Sequence, residues 1–458
     1  METHLKECSQ PIDETGIPLQ GSPLDVCCHL LNADWQHIIV YEQDECWTLA
    51  LNALAHIEMF SDKIILKLPD ETHCFSTGAD WQNALQQVLN VLPFRNWSAF
   101  GVASFELSHL VHRLAAQPDP LTPLLQLFIP RYLIELSSSG ARLHAQDPEN
   151  LARLKQHFQQ ANRPRTPRIP SPATQQEIQQ CIRDQHAENY RQQVANAVDE
   201  ISCGDYQKVI LSRRIDVGRN IDLIDSYHHG RQHNTPARSF LVSLNTLRFM
   251  GFSPETVVEV TAGGEVSTQP LAGTRALTGD IQQDAQLRET LLNDVKEVAE
   301  HAMSVQLAFA ELNTVCEPDS VRVTEFMTVL QRGSVQHLAS RLKGQLMKGY
   351  HCWHAFTALF PAVTASGIPK RPALDAIARH EPTARGPYSG AVIKLSQTGA
   401  LDAALVLRSL YQRGETFTLQ AGAGIICQSR PERELQETVE KLQSVSNWLI
   451  EKDESSVG

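Results

Sequence analysis

The chain has 458 residues and a formal net charge of −12, and 42% of its residues are hydrophobic. A chain of this length can bury a large core, and it predicts two or three domains or one large one. The negative charge argues against nucleic acid or an anionic membrane as the main partner, although a small anionic ligand needs only local positive charge. The ten cysteines form no C-x-x-C pair, which excludes zinc-ribbon and thioredoxin-type sites and predicts a reducing cytosol.

The N-terminal part of the chain predicts mixed strands and helices with little recognisable chemistry. Its polar start, METHLKECSQPIDETG, contains no apolar segment and predicts no signal peptide. The most apolar stretch, 121–136, contains two prolines and an arginine, so it predicts a buried segment rather than a membrane span. Closely spaced prolines predict an extended, exposed connection over 162–177. The predicted division is therefore an N-terminal part, 1–175, and a C-terminal region, 176–458.

After this connection the chain predicts alternating helical and extended segments. Apolar residues at helical spacing over 187–203 predict a helix that ends at Gly204. Closely spaced short strands within 239–271, joined by turn residues, predict an antiparallel meander rather than βαβ units. A long helix is expected from about 283 to 312, and a closing helix from about 431 to 451. Together these elements predict an α/β (α+β) protein.

A lysine heads a strand that is expected to be buried. The stretch 207–215, QKVILSRRI, is rich in Val, Ile and Leu, and its alternation leaves neither face cleanly polar. For a single lysine, the simplest explanation is that the stem of Lys208 packs while its ammonium group reaches water. A chemical role for Lys208 requires partners from elsewhere in the chain.

Two acidic pairs repeat the same spacing. Glu297 and Glu300, and likewise Glu434 and Glu437, stand three residues apart and share a helix face. Four carboxylates brought together require a cation between them, and hard oxygen ligands suit Mg²⁺. On spacing alone, a solvated helix surface is the more common explanation. The predicted core of the first helix is its apolar stripe: Val298, Ala302, Val305, Phe309 and Leu312.

Small residues and buried cations suggest a site for an anion. Arg408 ends an apolar, strand-like run, where its guanidinium group is able to clamp a carboxylate with two hydrogen bonds. His337 and Tyr388 also stand in apolar surroundings, although a single histidine is more often structural than catalytic. Three stretches, each typical of a tight turn when taken singly, let main-chain N–H groups approach a carboxylate: PLAGTR (270–275), TASGIPK (364–370) and AGAGI (421–425). These features indicate a small carboxylic acid bound with a divalent metal, but they name no reaction.

In combination, the motifs resemble those of the chorismate-utilising enzymes. The match covers roughly 185–450, and the motifs are closest to those of the salicylate synthases that feed siderophore assembly. The resemblance implies a fold of large antiparallel sheets flanked by helices, to which the N-terminal part also belongs. The matching stretches, in chain order, are KVILSRR, GFSPE, PLAGTR, EHAMSV, RGSVQHL, TASGIPK, YSGAV, LDAALVLR, AGAGI and PEREL.

The resemblance gives the buried lysine a chemical role. Lys208 matches the general base that activates water to attack C2 of chorismate, and Glu255 matches the general acid that protonates the departing C4 hydroxyl. Burial suits such a base, because desolvation disfavours a charged amine. The following loss of pyruvate from isochorismate needs mainly positioning. His337 matches a further candidate catalytic residue that shapes the pocket around Thr364.

The resemblance also implies a metal and a binding side for the substrate. Glu300 and Glu437 match ligands of Mg²⁺, while Glu297 and Glu434 match outer acids that act through water. The metal would hold the ring carboxylate and orient the ring. The matching substrate-binding residues are Thr274, Thr364, Tyr388, Arg408, Gly422, Gly424 and Lys441.

The cysteines and the net charge predict a cytoplasmic protein with no nucleic-acid or membrane partner, and a monomer is expected. The resemblance implies an enzyme that acts on chorismate. Salicylate and pyruvate are the expected products. Release of isochorismate, an ammonia-using anthranilate-type reaction and a non-catalytic binding protein are the alternatives. The run QLAFAE (306–311) argues against the ammonia-using reaction, whose enzymes typically carry a DLARND-like run there. Gln269 and Pro387 depart from the salicylate-type motifs and leave the product open.

Overall fold

The computed structural model describes residues 12–114, 119–333 and 335–452. The first eleven residues, which form most of the polar start of the chain, lie outside the described residues. The helices are α1 (Pro23–Leu30), α2 (Trp81–Asn90), α3 (Leu107–His112), α4 (Pro148–Ala161), α5 (Pro172–Asp184), α6 (Ala187–Cys203), α7 (Leu223–Gln232), α8 (Ile281–Asn293), α9 (Val295–Leu312), α10 (Cys352–Leu359), α11 (Lys370–His380) and α12 (Pro431–Ser446).

The strands lie in the same described ranges and pair antiparallel throughout. They are β1 (Ile12–Ile17), β2 (Ile38–Gln43), β3 (Cys46–Met59), β4 (Lys63–Lys67), β5 (Thr72–Ser76), β6 (Ser98–Ala103), β7 (Leu125–Ser137), β8 (Gly140–Ala145), β9 (Lys208–Asp216), β10 (Ile221–Asp222), β11 (Arg238–Leu244), β12 (Leu247–Ser253), β13 (Thr256–Val260), β14 (Glu265–Thr268), β15 (Leu271–Ala276), β16 (Arg322–Arg332), β17 (Val335–Gln345), β18 (Gly367–Ile368), β19 (Ala391–Ser396), β20 (Leu401–Leu405), β21 (Ser409–Arg413), β22 (Thr416–Ile425) and β23 (Ile450–Glu451).

Two long strands, β3 and β7, join two antiparallel sheets. They pair along most of their length, with an irregularity in register between Ala53 and Ala55. Before this point β3 pairs with β2, and beyond it with β4. One sheet continues from β3 in the order β2–β11–β12–β21–β22–β9. The other continues from β7 in the order β6–β19–β20–β13–β14–β17.

An apolar layer lies between the two sheets. It includes Phe240 and Phe249 of the first sheet, together with Phe100 and Val392 of the second. The outer faces pack on helices: α2 and α10 contribute to the core beside the second sheet, whereas α6, α11 and α12 contribute to the core beside β9 and β22. The expected fold class, large antiparallel sheets flanked by helices, is therefore confirmed.

Both predicted parts of the chain contribute strands to these sheets. From the N-terminal part, β2 pairs with β11 and β6 pairs with β19. The apolar stretch 121–136 forms most of β7 and is largely buried, as expected. No helix in the described part of the chain has the length and apolar character needed to cross a membrane. The division at 175 stays a prediction, since the strand pairing crosses it.

The second half keeps most of its predicted elements. Helix α6 ends at Gly204, whose φ of 90° lies in the left-handed region. The hairpins β11–β12 and β13–β14 form part of the expected meander, although β15 pairs with β17 rather than with β14. The extended connection is shorter than predicted, because α5 begins at Pro172. The closing helix also ends early, at Ser446.

The single long helix predicted over 283–312 is wrong. Asp294 has an extended backbone, and its side chain accepts hydrogen bonds from the N–H groups of Lys296 and Glu297. This cap ends α8 and begins α9, because a side-chain oxygen satisfies the free donors of a new helix. The predicted core stripe of α9 is also wrong in part, since Phe309 is 39% exposed. The buried face is instead the one that carries the glutamates.

Candidate active site

One cavity gathers most of the candidate residues. It lies where β9, β22 and α12 approach β15, β17 and the turn that contains Thr364. Glu297 and Glu434 do not line it, in keeping with the outer positions expected for them. The candidates that do line it are Lys208, Glu255, Thr274, Glu300, His337, Thr364, Tyr388, Arg408, Gly422, Gly424, Glu437 and Lys441. The structure thus brings them together, while their roles stay predictions.

Lys208 is a fully buried lysine at the start of β9. Its Nζ lies 3.0 Å from Glu300 Oε1 and 3.2 Å from the hydroxyl oxygen of Ser304. The explanation in which the ammonium group reaches water is therefore wrong. Gly424, on the neighbouring strand β22, makes this arrangement possible, because a Cβ atom there would overlap Glu300 Oε1 and lie 3.3 Å from Lys208 Cε.

Glu255 is the second buried titratable group in the cavity. The main-chain N–H of Leu271 donates to its Oε2 at 2.8 Å, and the Thr364 hydroxyl donates to its Oε1. Burial raises the pKa of Glu255 to about 7, against the opposing effects of these hydrogen bonds and of the charge on Lys208. A carboxyl group with such a pKa is able to hold a proton near neutrality and to donate it during a reaction.

The four glutamates of α9 and α12 lie on buried helix faces, with exposed fractions between 1% and 7%. The explanation as solvated surface is therefore wrong for both pairs. Arg275 Nη1 donates to Glu297 Oε1 at 2.9 Å, and the N–H of Thr274 donates to the other oxygen at 3.2 Å. Lys441 Nζ lies 2.8 Å from Glu437 Oε1. These contacts leave cations on both sides of the acidic cluster.

Lys296 stands among the carboxylates and compensates part of their charge. Its Nζ lies 3.3 Å from Glu434, 3.8 Å from Glu300 and 3.9 Å from Glu297. Burial and the charge of Glu437 raise the pKa of Glu434 to about 7. Burial acts on Glu437 in the same sense, but Lys441 and Lys296 outweigh it and lower the pKa of Glu437 to about 2. The pKa values of the neighbouring carboxylates Glu434 and Glu437 are thus shifted in opposite directions.

The chemistry of these donors fits Mg²⁺. Both carboxylate oxygens of Glu434 are buried, and Lys296 Nζ lies 3.3 Å from Oε1. A buried carboxylate of this kind supplies hard oxygen donors to a divalent cation. In their present conformations, no three acidic, histidine or cysteine side chains in the described ranges form a complete metal site. Glu300 and Glu437 instead pair with Lys208 and Lys441. A metal would therefore have to replace lysine contacts.

The basic residues of the cavity wall suit a carboxylate ligand. Arg408 is buried, donates to the Ser444 hydroxyl at 3.3 Å and forms no ion pair with a described residue. Burial lowers the pKa of Arg408 to about 10, so the guanidinium stays charged near neutrality. Lys441 donates to the carbonyl oxygen of Gly422 at 2.8 Å. Tyr388 is buried beside them and completes this wall.

His337 pairs with Thr274 across β15 and β17. The Thr274 hydroxyl and His337 Nδ1 are 2.9 Å apart. Burial, together with the charges of Arg408 and Lys441, lowers the pKa of His337 to about 3. The imidazole is therefore neutral, and a structural or positioning role fits it better than proton transfer near neutrality.

Sequence reasoning missed Arg385, which supports the cavity from behind. Its buried guanidinium donates to the carbonyl oxygens of Ile210 at 2.7 Å and Ala365 at 2.8 Å, and it lies 5.4 Å from the ring centroid of Tyr388. Glu381 neutralises it through a hydrogen bond of 2.8 Å. The only available signal was its place in the matched stretch before YSGAV. Lys296 and Arg275 were missed because their glutamate partners were assigned to a metal ion, so no basic partners were expected for them.

The pKa of Glu255 predicts a pH-dependent stability. Its folded-state value of about 7 exceeds the ordinary 4.5, so the stabilisation from the bound proton is complete below pH 4.5 and lost as the pH rises through 7. Glu255→Gln stays neutral, so its free energy of unfolding relative to the parent should rise over this range by up to about 3 kcal/mol. Urea unfolding at several pH values, with exposed Glu432→Gln as control, measures this. A constant difference would contradict it.

Comparisons with known proteins identify the family of this chain. The model of the chorismate binding enzyme family matches residues 36–447. A salicylate synthase from Mycolicibacterium paratuberculosis is 37% identical over 445 residues, 95% of each chain. Anthranilate synthase component I from Streptococcus pneumoniae has a similar fold, with a TM-score of 0.72, 24% identity and coverage of 94% of this chain and 100% of the other. A 2,3-dihydroxybenzoate-specific isochorismate synthase from Bacillus anthracis also has a similar fold. Its TM-score is 0.68 and its identity 22%, with coverage of 92% of this chain and 98% of the other. The chain therefore belongs to the chorismate-binding enzymes.

Proposed function

We propose that the protein is a Mg²⁺-dependent salicylate synthase, which converts chorismate through isochorismate to salicylate and pyruvate for siderophore biosynthesis. The observation that carries this proposal is the presence, in one cavity, of a buried lysine and a carboxyl group whose pKa is about 7. The salicylate synthase that matches 95% of the chain supports the choice of product.

The first step adds water at C2 of the ring and removes the C4 hydroxyl. The amine of Lys208 takes a proton from water as its oxygen bonds to C2. Both ring double bonds shift by one position, and Glu255 gives a proton to the C4 hydroxyl, which leaves as water. Lys208 has to lose its own proton before it serves as the base. Its partner Glu300 is one of the residues that would hold Mg²⁺, so the ion pair and the metal compete for the same carboxylate.

The second step breaks the bond between the ring and the side-chain oxygen of isochorismate, with transfer of the C2 hydrogen to the departing enolpyruvyl group. Its main requirement is that the substrate be held in one conformation. Arg408 supplies a buried positive charge for the side-chain carboxylate, and the small residues Gly422 and Gly424 leave room beside it. Glu300 and Glu437 would hold Mg²⁺, with Glu297 and Glu434 as outer acids. The bound ion would neutralise the charge of the ring carboxylate.

Product analysis tests the proposal directly. The purified protein should convert chorismate with Mg²⁺ to equal amounts of salicylate and pyruvate, separated by chromatography. Accumulation of isochorismate without salicylate would make the protein an isochorismate synthase. Anthranilate formed on addition of ammonium would favour the ammonia-using reaction, and no turnover at all would favour a non-catalytic binding protein.

The variant Lys208→Ala separates the two steps. Without the base, conversion of chorismate should fall roughly 10²–10⁴-fold. Elimination of pyruvate from added isochorismate should fall much less, because it depends on positioning. Each substrate is supplied separately, and rates are compared with those of the parent and of Lys67→Ala, an exposed surface lysine. Near-parental conversion of chorismate by Lys208→Ala would refute its role as the base.

The metal proposal predicts that Glu437→Gln weakens binding of Mg²⁺. Loss of one charged ligand should lower the affinity by at least about tenfold, by analogy with other metal sites, and calorimetric titration measures it without any turnover. Glu432→Gln on the same helix is the matched control, because Glu432 is exposed and does not line the cavity. Equal affinities in both variants, or full activity in excess chelator, would contradict the site.

A further inference from the structure

A second cavity adjoins the active-site cavity and shares one lining residue with it. The shared residue is Gln420, whose side-chain amide donates to the Ser212 hydroxyl at 2.8 Å. The residues that line the second cavity are Arg214, Thr246, Leu247, Arg248, Phe249, Arg385, Pro387, Tyr411, Gln412, Arg413, Thr416, Thr418 and Gln420.

The charge of this lining is entirely positive. It contains four arginines and no acidic residue, although the whole chain carries a net charge of −12. Arg385 is neutralised by Glu381 from outside the cavity. Arg248 and Arg413 form no ion pair in the described part of the chain, and Arg214 donates only to neutral acceptors, among them the carbonyl of Ala384 at 2.8 Å. Three guanidinium groups thus lack a directly paired carboxylate.

Strand order explains why these arginines meet. Arg214 lies on β9, Arg413 on β21 and Arg248 on β12, and β22 joins β9 to β21. Burial and the nearby charge of Arg413 both lower the pKa of Arg214, so the two groups repel each other. Arg413 also passes close to Gly386, where a Cβ atom would lie 3.5 Å from its Nη2. An anion would relieve this repulsion.

A buried polar group also lies in this cavity. Tyr411 is only 9% exposed, and its hydroxyl has the Ser409 hydroxyl as its hydrogen-bonding neighbour. The Ser409 hydroxyl donates to the carbonyl oxygen of Leu407 at 2.8 Å, so it is available to Tyr411 as an acceptor. Leu247 and Pro387 give this part of the cavity an apolar wall.

We propose that the second cavity binds a small aromatic carboxylate, separately from the active site. A carboxylate accepts paired hydrogen bonds from a guanidinium group, and Arg248 and Arg413 at the rim, with Arg214 behind them, provide such donors. The ring would lie against Leu247 and Pro387, close to Tyr411. The proposal does not depend on the reaction proposed above, because none of these residues takes part in it.

The test uses benzoate as the probe, in calorimetric titrations of the full chain with chelator present. The parent should bind two equivalents, one in each cavity. Arg248→Gln combined with Arg413→Gln should weaken one binding event at least about tenfold, the energy of a charge-assisted hydrogen bond. Arg408→Gln should weaken the other. Turnover of chorismate by the double variant should stay at the parental level.

The matched control combines Arg142→Gln with Arg153→Gln, two exposed arginines that change the net charge equally. It should bind benzoate as the parent does. A parent that binds one equivalent, lost only with Arg408→Gln, would overturn the proposal. So would equal losses in the double variant and in this control, because they would reflect net charge alone. Since Arg248 and Arg413 are exposed, circular dichroism should confirm a native fold for the double variant.

Discussion

Repulsion among four buried carboxylates is the constraint on which the rest of this site depends. Burying one ionised carboxylate costs several kcal/mol after relaxation, and burying several together costs more. In this protein the cost is offset by Lys208, Lys296 and Lys441, each within 3.3 Å of a glutamate oxygen. Replacing these lysines by apolar residues would leave the acids uncompensated. The cluster is therefore held by charge balance rather than by packing.

This balance also makes the cluster responsive to a cation. A divalent ion that takes over the glutamates would release their lysine partners into the cavity. Lys208 and Lys441 line the cavity, whereas Lys296 does not. Lys441, released from Glu437, would offer its charge to an anionic substrate, whereas Lys208, released from Glu300, would be able to lose its proton and act as the proposed base. This links the proposed metal to substrate binding through the residues that line the cavity.

The sequence predicted the fold class and named most of the residues that line the cavity, but it did not predict which helix faces are buried. The motifs identified Lys208 and Glu255 as candidate site residues, because they stand in the matched stretches KVILSRR and GFSPE. Spacing alone could not show that Glu297 and Glu300 face inward, since an amphipathic helix with an apolar stripe is normally buried along that stripe. The acidic face of α9 is seen to be buried only in the structure, where this helix packs against β15 and β17. Arg385 was missed because it donates to the main-chain carbonyl oxygens of Ile210 and Ala365. Contacts with main-chain atoms leave no pattern in the sequence.

The acid–base assignment follows from the same contrast between neighbours. Glu255 and Glu437 line one cavity and are both buried, yet the pKa of Glu255 is raised to about 7 whereas that of Glu437 is lowered to about 2. The difference arises because Lys441 lies 2.8 Å from Glu437, whereas the direct partners of Glu255 are a hydroxyl and a main-chain N–H. Groups of one chemical type that differ in this way divide the tasks of a site between them. Glu437 stays ionised and suits a cation. Glu434 has a pKa of about 7 but does not line the cavity, so Glu255 is the better candidate for the proton donor of the proposed reaction.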